Sequence, residues 1–105
     1  MSIEAEVLWL DEHRVVSLEE LVECSGLTRA ELLELVQGGA IPFREVHGTS
    51  YTFSARVIHV ARTAGRLRDE LELDMAGLGV ALQLLERVRG LEEEITRLRA
   101  MLPRS

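Results

Sequence analysis

Three histidines, one cysteine and a run of three glutamates are the residues of this chain whose types could do chemistry. His13, His47 and His59 are scattered, and none pairs with Cys24 or a carboxylate at metal-ligand spacing. His59 falls inside a helical pattern close to Arg62, where it reads as a surface or partly buried residue. Glu92-Glu93-Glu94 reads as a solvated helix face rather than a general acid–base pair. Gly38-Gly39 has the form of a helix stop, and Gly77-x-Gly79 follows a helix cap rather than a strand, so neither is a phosphate loop. No strand-turn-helix presents a nucleophile. The sequence therefore predicts no catalytic residue, no metal site and no cofactor. It does not read as an enzyme.

What remains is a surface, and composition bounds its kind. The chain has 105 residues, 47% hydrophobic and 29% charged, enough for one domain plus a long helix and too apolar for disorder. Its net charge of −6 excludes capture of phosphate backbones or anionic membranes by bulk charge. The charge is uneven. Residues 1–53 hold ten acids against three arginines, a net −7, whereas 54–105 hold nine arginines against eight acids. Every basic residue is Arg, which suits a codon or habitat bias. One cysteine forms no internal disulfide, and Cys24 is expected as a buried, reduced thiol. No apolar run approaches the roughly 20 residues that span a bilayer. These features lead us to expect a soluble, cytoplasmic protein with no membrane contact.

The elements that would shape such a surface are legible. Residues 5–10 form a short apolar run suited to a strand or an extended arm. Ser17 followed by Glu20, with Leu18, Leu21 and Val22 at helical spacing, predicts a capped short helix ending near Ser25-Gly26. Thr28 and Glu31 repeat the device and open a second helix, with Leu32, Leu33 and Val36 inward and Gly38-Gly39 as its stop. Together they predict a helix-turn-helix. After Pro42, the stretches 43–46 and 51–53 flank His47-Gly48-Thr49-Ser50, the pattern of a β-hairpin or wing. Ser54 is expected to cap a third helix whose stripe is Val57, Val60, Ala61, Ala64, Leu67 and Leu71. Asp74 is expected to cap a fourth that runs to about Met101, before Pro103.

That last helix carries a second signal. Leu84, Val88, Leu91, Ile95, Leu98 and Leu102 follow 4-3-4-3-4 spacing, with β-branched residues at alternate places and Leu between them, which predicts a coiled-coil seam and a homodimer. Leu78, Leu82 and Leu85 are expected to pack back onto the chain's own domain. The fold class is thus mainly α: a winged helix-turn-helix with a small β-hairpin and a long C-terminal dimerisation helix. We divide it at residues 1–73, the winged domain, and 74–105, the coiled-coil-like segment.

A helix-turn-helix invites the inference of DNA binding, and here the residues oppose it. With Leu32, Leu33 and Val36 inward, the second helix presents Ala30, Glu31, Glu34 and Gln37. That face would have to enter the major groove between two phosphate chains with Arg29 as its only cation. Arg56, Arg62 and Arg66 on the third helix could touch phosphate, or could pair with the acids of the first two. A DNA-binding regulator is the alternative function.

Arg66-Leu67-Arg68-Asp69-Glu70-Leu71-Glu72-Leu73-Asp74, then Gly77-Leu78, then 81–85 (ALQLL) form a long and specific block. With 21–27 (LVECSGL), 34–39 (ELVQGG) and Tyr51-x-Phe53, it resembles the chaperone modulators of the CbpM family, built on a MerR-type winged helix. The resemblance covers about residues 17–102. Tyr51 stands where that family often has Trp, and Asp74 where Asn is common. The resemblance implies a non-enzymatic adaptor that binds the J-domain of a DnaJ/CbpA-type co-chaperone. It would inhibit that partner's Hsp70 co-chaperone activity and its DNA binding. An acidic modulator would cover the basic helix with which a J-domain engages Hsp70. MerR-type dimers pair antiparallel, while the heptad pattern itself does not fix direction.

The expected partner-binding residues are Glu19, Glu23 and Glu34, with Asp69, Glu70 and Glu72 from the family-like block. Glu20 and Glu31 are set apart as the far ends of capping boxes, and an Arg66–Glu70 pair within the helix would explain part of that block.

Overall fold

The structure, a computed structural model, describes residues 14–103. The apolar run 5–10 and His13 lie outside them. Ser17 and Thr28 act as the sequence predicts. Ser17 Oγ accepts from the Glu20 N–H at 3.2 Å and the Glu20 carboxylate accepts from the Ser17 N–H at 3.3 Å, opening α1 (Leu18–Ser25). Thr28 and Glu31 make the same reciprocal pair, at 3.1 and 2.9 Å, and open α2 (Arg29–Gln37). Each box satisfies two amide groups that a helix start would leave unpaired. Between them Gly26 takes φ 76°, a left-handed conformation that closes α1 and is strained for other residues.

The wing is β2 (Glu45–His47) and β3 (Ser50–Ser54), joined by Gly48-Thr49. A third strand, β1 (Val15–Ser17), lies against β3 on its other side, giving the order β1-β3-β2 with both pairs antiparallel. Val16 faces Phe53 and Val46 faces Tyr51 across the sheet. This strand was not expected. It is three residues long with one buried side chain, and its partner is far along the chain, so no local period announces it.

Two further helices complete the fold, α3 (Val57–Leu71) and α4 (Met75–Met101). Asp74 caps α4 as predicted, its carboxylate accepting from the Gly77 N–H at 2.7 Å. Ser54 does not cap α3. It ends β3, its hydroxyl accepts from the Arg56 N–H at 3.3 Å, and the helix starts at Val57 with no side-chain cap. The strand pairing to β1 holds Ser54 and leaves the turn to Ala55 and Arg56.

One core joins these elements apart from β2, whose three residues are exposed. Val16, Leu18, Leu21, Leu27, Leu32, Leu35, Ile41, Phe53 and Leu78 are fully buried, with Val36, Val57, Ala61, Ala64 and Leu82 beside them. Burial of this apolar set is the main stabilising term. Leu35 replaces Leu33 as the second deep leucine of α2, and Leu33 is half-buried. Cys24 is half-buried rather than buried. Leu71 is 61% exposed because the last turn of α3 extends beyond its packing partners. Leu85 is also exposed, because α4 leaves the domain after Leu82.

Candidate partner-binding surface

The charged residues of α1, α2 and α3 fall into two groups, those that hold the helices together and those that face water. Arg68 belongs to the first. From α3 its guanidinium donates to Glu31 Oε1 at 2.5 Å, to Asp69 at 2.9 and 3.0 Å, and to the Gly26 carbonyl at 3.3 Å. Glu31 Oε1 also accepts the Thr28 N–H, so capping box and ion pair converge on one oxygen. The Asp69 carboxylate, and Glu31 beside it, push the Arg68 guanidinium above its ordinary value. It stays charged throughout the working pH range.

Arg29 of α2 is bonded to Glu19 of α1, a second tie across the helix-turn-helix. Glu20 adds an ion pair with Arg14 at 3.7 Å. Thus Glu19 and Asp69, expected as free partner-binding acids, already have bonds within the fold. Among the described residues, Glu23 and Glu34 are exposed with no such bond, as are Glu70 and Glu72 at the end of α3. No Arg66–Glu70 pair forms among the described residues; the arginine that reaches across to α2 is Arg68. Its role was missed because its partner lies 37 positions away. The only signal was its place in the family-like block.

This rearranges the case against a DNA interface without weakening it. Glu31 is neutralised by Arg68, so the outward face of α2 keeps one unpaired acid, Glu34, beside Ala30 and Gln37. Its one cation, Arg29, is engaged by Glu19. The helix that would read bases therefore has no unengaged positive group for phosphate.

On α4 two apolar faces diverge. Leu78 and Leu82 enter the core, whereas Leu84, Val88, Leu91, Ile95 and Leu98 are 43–60% exposed, and the last expected seam residue, Leu102, lies just past the helix end in extended backbone, 67% exposed. At 100° per residue, the seam points about 140° away from the Leu78–Leu82 side. The helix cannot present both faces to its own domain. The molecule extends 53 Å along its long axis.

Histidines 47 and 59 are both exposed. His47 contacts Glu45 at 3.3 Å on the wing. Among the described residues no cluster of three or more His, Cys, Asp or Glu is placed to hold a metal ion. No helix among them is long and apolar enough to cross a membrane.

Capped helix pair, wing and projecting final helix define a winged helix-turn-helix protein. The family model described as MerR HTH family regulatory protein matches residues 16–100. The chain is also 38% identical over 80 residues to chaperone modulatory protein CbpM of Escherichia coli (strain K12 / DH10B), covering 76% of this chain and 79% of the relative. CbpM of Shigella boydii serotype 18 (strain CDC 3083-94 / BS512) matches to the same extent. The chain belongs to the CbpM family of chaperone modulatory proteins, within the MerR helix-turn-helix group.

Proposed function

We propose that this chain is a chaperone modulator that binds the J-domain of a DnaJ/CbpA-type co-chaperone. By covering the surface with which the J-domain engages Hsp70, it inhibits co-chaperone activity, and it suppresses the partner's DNA binding. The observation that carries this is the 38% identity to CbpM, maintained over 79% of that relative's length. The acid-rich, cation-poor helix-turn-helix supports it, because such a surface attracts a basic protein and repels phosphate. Glu23 and Glu34 are its steering charges, with Glu70 and Glu72 as a second group; Glu19 and Asp69 contribute while also holding the fold. The molecule works as a homodimer in the cytoplasm, with residues 1–73 for recognition and 74–105 for pairing.

Calorimetric titration of the purified chain with an isolated CbpA-type J-domain tests this proposal. Saturable one-to-one binding per chain, with loss of J-domain-stimulated Hsp70 ATPase activity, is the expected result. Glu23→Arg with Glu34→Arg should slow association and flatten its salt dependence while leaving the melting temperature nearly unchanged. The family's helix-turn-helix description favours a second reading, a MerR-type transcriptional regulator. A low-salt gel shift decides between them, since sequence-selective nanomolar binding to duplex DNA would establish the regulator instead.

A further inference from the structure

The outward side of α3 carries unpaired positive charge. At 100° per residue, His59, Arg62 and Arg66 fall within about 60° of one another, and about 150° from the inward-packed Val57, Ala61, Ala64 and Gly65. All three are exposed. Elsewhere in residues 14–73, Arg14, Arg29 and Arg68 are held by carboxylates, and Arg44 and Arg56 are engaged as well. Arg62 and Arg66 have no bonded partner among the described residues. Half-buried Ile58 and Val60 border this stripe on its two sides.

The described chain begins beside the same face. β1 is antiparallel to β3, so the chain followed back from Ser17 to Arg14 travels with β3 toward the head of α3. Val15 faces Ser54, and the Arg14 carbonyl accepts from the Ala55 N–H at 3.0 Å. Residues 1–13 therefore join the fold at the first turn of α3. Their sequence holds Glu4, Glu6, Asp11 and Glu12 with no Arg or Lys, and Val7, Leu8, Trp9 and Leu10 stand between the acids. Fully extended they reach about 43 Å, whereas Arg66 lies about 17 Å along the helix from Ala55. Asp11 and Glu12, close to Arg14 in the chain, are within reach of His59 and Arg62, and Glu4 and Glu6 have the length to meet Arg66. The helix pair offers no such welcome, since α1 and α2 present Glu19, Glu23 and Glu34 to solvent.

We propose that residues 1–13 form an acidic strap that docks on the outward face of α3, its carboxylates on His59, Arg62 and Arg66 and its apolar run along the edges of the stripe. Exposed ion pairs are weak singly, so charge sets the place and burial of the apolar run holds it. The strap covers the two unpaired arginines of the winged part and closes that face to phosphate. This contact is independent of which protein the acidic helix pair binds.

Trp9, the chain's one tryptophan, reports on the strap directly. Acrylamide quenching of its fluorescence is measured on the full chain, on the Arg62→Glu, Arg66→Glu double variant, and on a synthetic peptide of residues 1–13. The full chain should be quenched about twofold or more less steeply than the peptide, and the double variant should approach the peptide. Both arginines are exposed, so the variant should keep the helix content and melting temperature of the wild type. Adding Asp11→Arg and Glu12→Arg to the double variant reverses both sides of the contact and should restore the shielding, which no loss of folding could do. Equal quenching of wild type and double variant would overturn the proposal, as would failure of the four-site variant to restore shielding. Shielding that grows with chain concentration would assign the strap to a second copy. Low-salt duplex DNA binding that the double variant loses, with Trp9 equally exposed in both proteins, would assign the stripe to phosphate. Either of these results overturns the proposal.

Discussion

Gly65 of α3 lies so close to the Ser25 carbonyl of α1 that a Cβ at this position would overlap the oxygen and stand 3.0 Å from the carbonyl carbon. The two helices meet along small residues, with Ala61 and Ala64 fully buried just before Gly65 on α3. The obstacle is backbone at the end of a capped helix, so it cannot move aside as a flexible side chain would. Gly65→Ala gains about 1 kcal/mol of helix propensity, yet overpacking should outweigh it and leave a net loss of about 2 kcal/mol or more. Thermal unfolding should fall by about 10 °C or more. An unchanged or higher melting temperature would show that α1 and α3 part without cost.

The Arg68–Glu31 pair should couple more strongly than Arg29–Glu19. Its side chains are both 24% exposed, against 48% and 70% for the other pair. Water and salt screen the outer pair more effectively. Double-mutant cycles using Arg68→Ala with Glu31→Ala, and Arg29→Ala with Glu19→Ala, measure both couplings on melting curves. The inner cycle should give the larger coupling and keep more of it at high salt. Because the raised guanidinium of Arg68 holds its proton, the stabilisation from its charge is present below its ordinary value and lost only as pH rises through the still higher folded one. Glu31→Ala also removes half a capping box, and subtracting the single variants isolates the pair from that loss.

Residue separation explains what could be read from the sequence. Ser17–Glu20, Thr28–Glu31 and Asp74–Gly77 are contacts three positions apart, so residue type and spacing define them completely. The exposed apolar stripe of α4 was legible for the same reason, because its period lies within a single helix. The bonds of Arg68 to Glu31 and of Glu19 to Arg29 depend on how α1, α2 and α3 cross, and no local pattern encodes a crossing. The burial of Leu35 instead of Leu33 has a similar cause. In the run Leu32-Leu33-Glu34-Leu35-Val36, helical period alone does not choose between two leucines on opposite sides of Leu32. Of the expected partner-binding acids, the sequence named the charges and the fold separated those engaged in bonds from those facing water.

Glu72 is the one described non-glycine residue with positive φ, at 52°, where it closes α3. A left-handed conformation costs a residue with a Cβ roughly 1 kcal/mol, and a carboxylate at a helix C-terminus faces the negative end of the dipole. Glu72→Asn tolerates that backbone and removes the charge, so it should stabilise the fold by about 0.5–1 kcal/mol, or about 2–6 °C in Tm. Glu72→Val should move in the opposite direction. If J-domain affinity also falls in Glu72→Asn, the residue has both a closing strain and a partner contact. A lower melting temperature for Glu72→Asn would show that the turn is held by another interaction.

The seam of α4 makes the sharpest contrast between two apolar positions on one helix. Leu78 is fully buried in the domain, whereas Ile95 is 48% exposed at the centre of the heptad stripe. If a second copy covers the stripe, sedimentation at micromolar concentration should give about twice the 11.8 kDa chain mass, and the melting temperature should rise with concentration. Ile95→Asp would bury a carboxylate in the seam, so it should give a folded monomer with native helix content and a melting temperature independent of concentration. Leu78→Asp should instead unfold the domain, because its charge would enter the core between α4 and the helix-turn-helix. These opposite failures separate pairing from folding. A wild-type monomer whose mass and melting temperature are untouched by Ile95→Asp would show that the exposed stripe is not a subunit contact. The acidic helix-turn-helix would then meet its partner as a single copy.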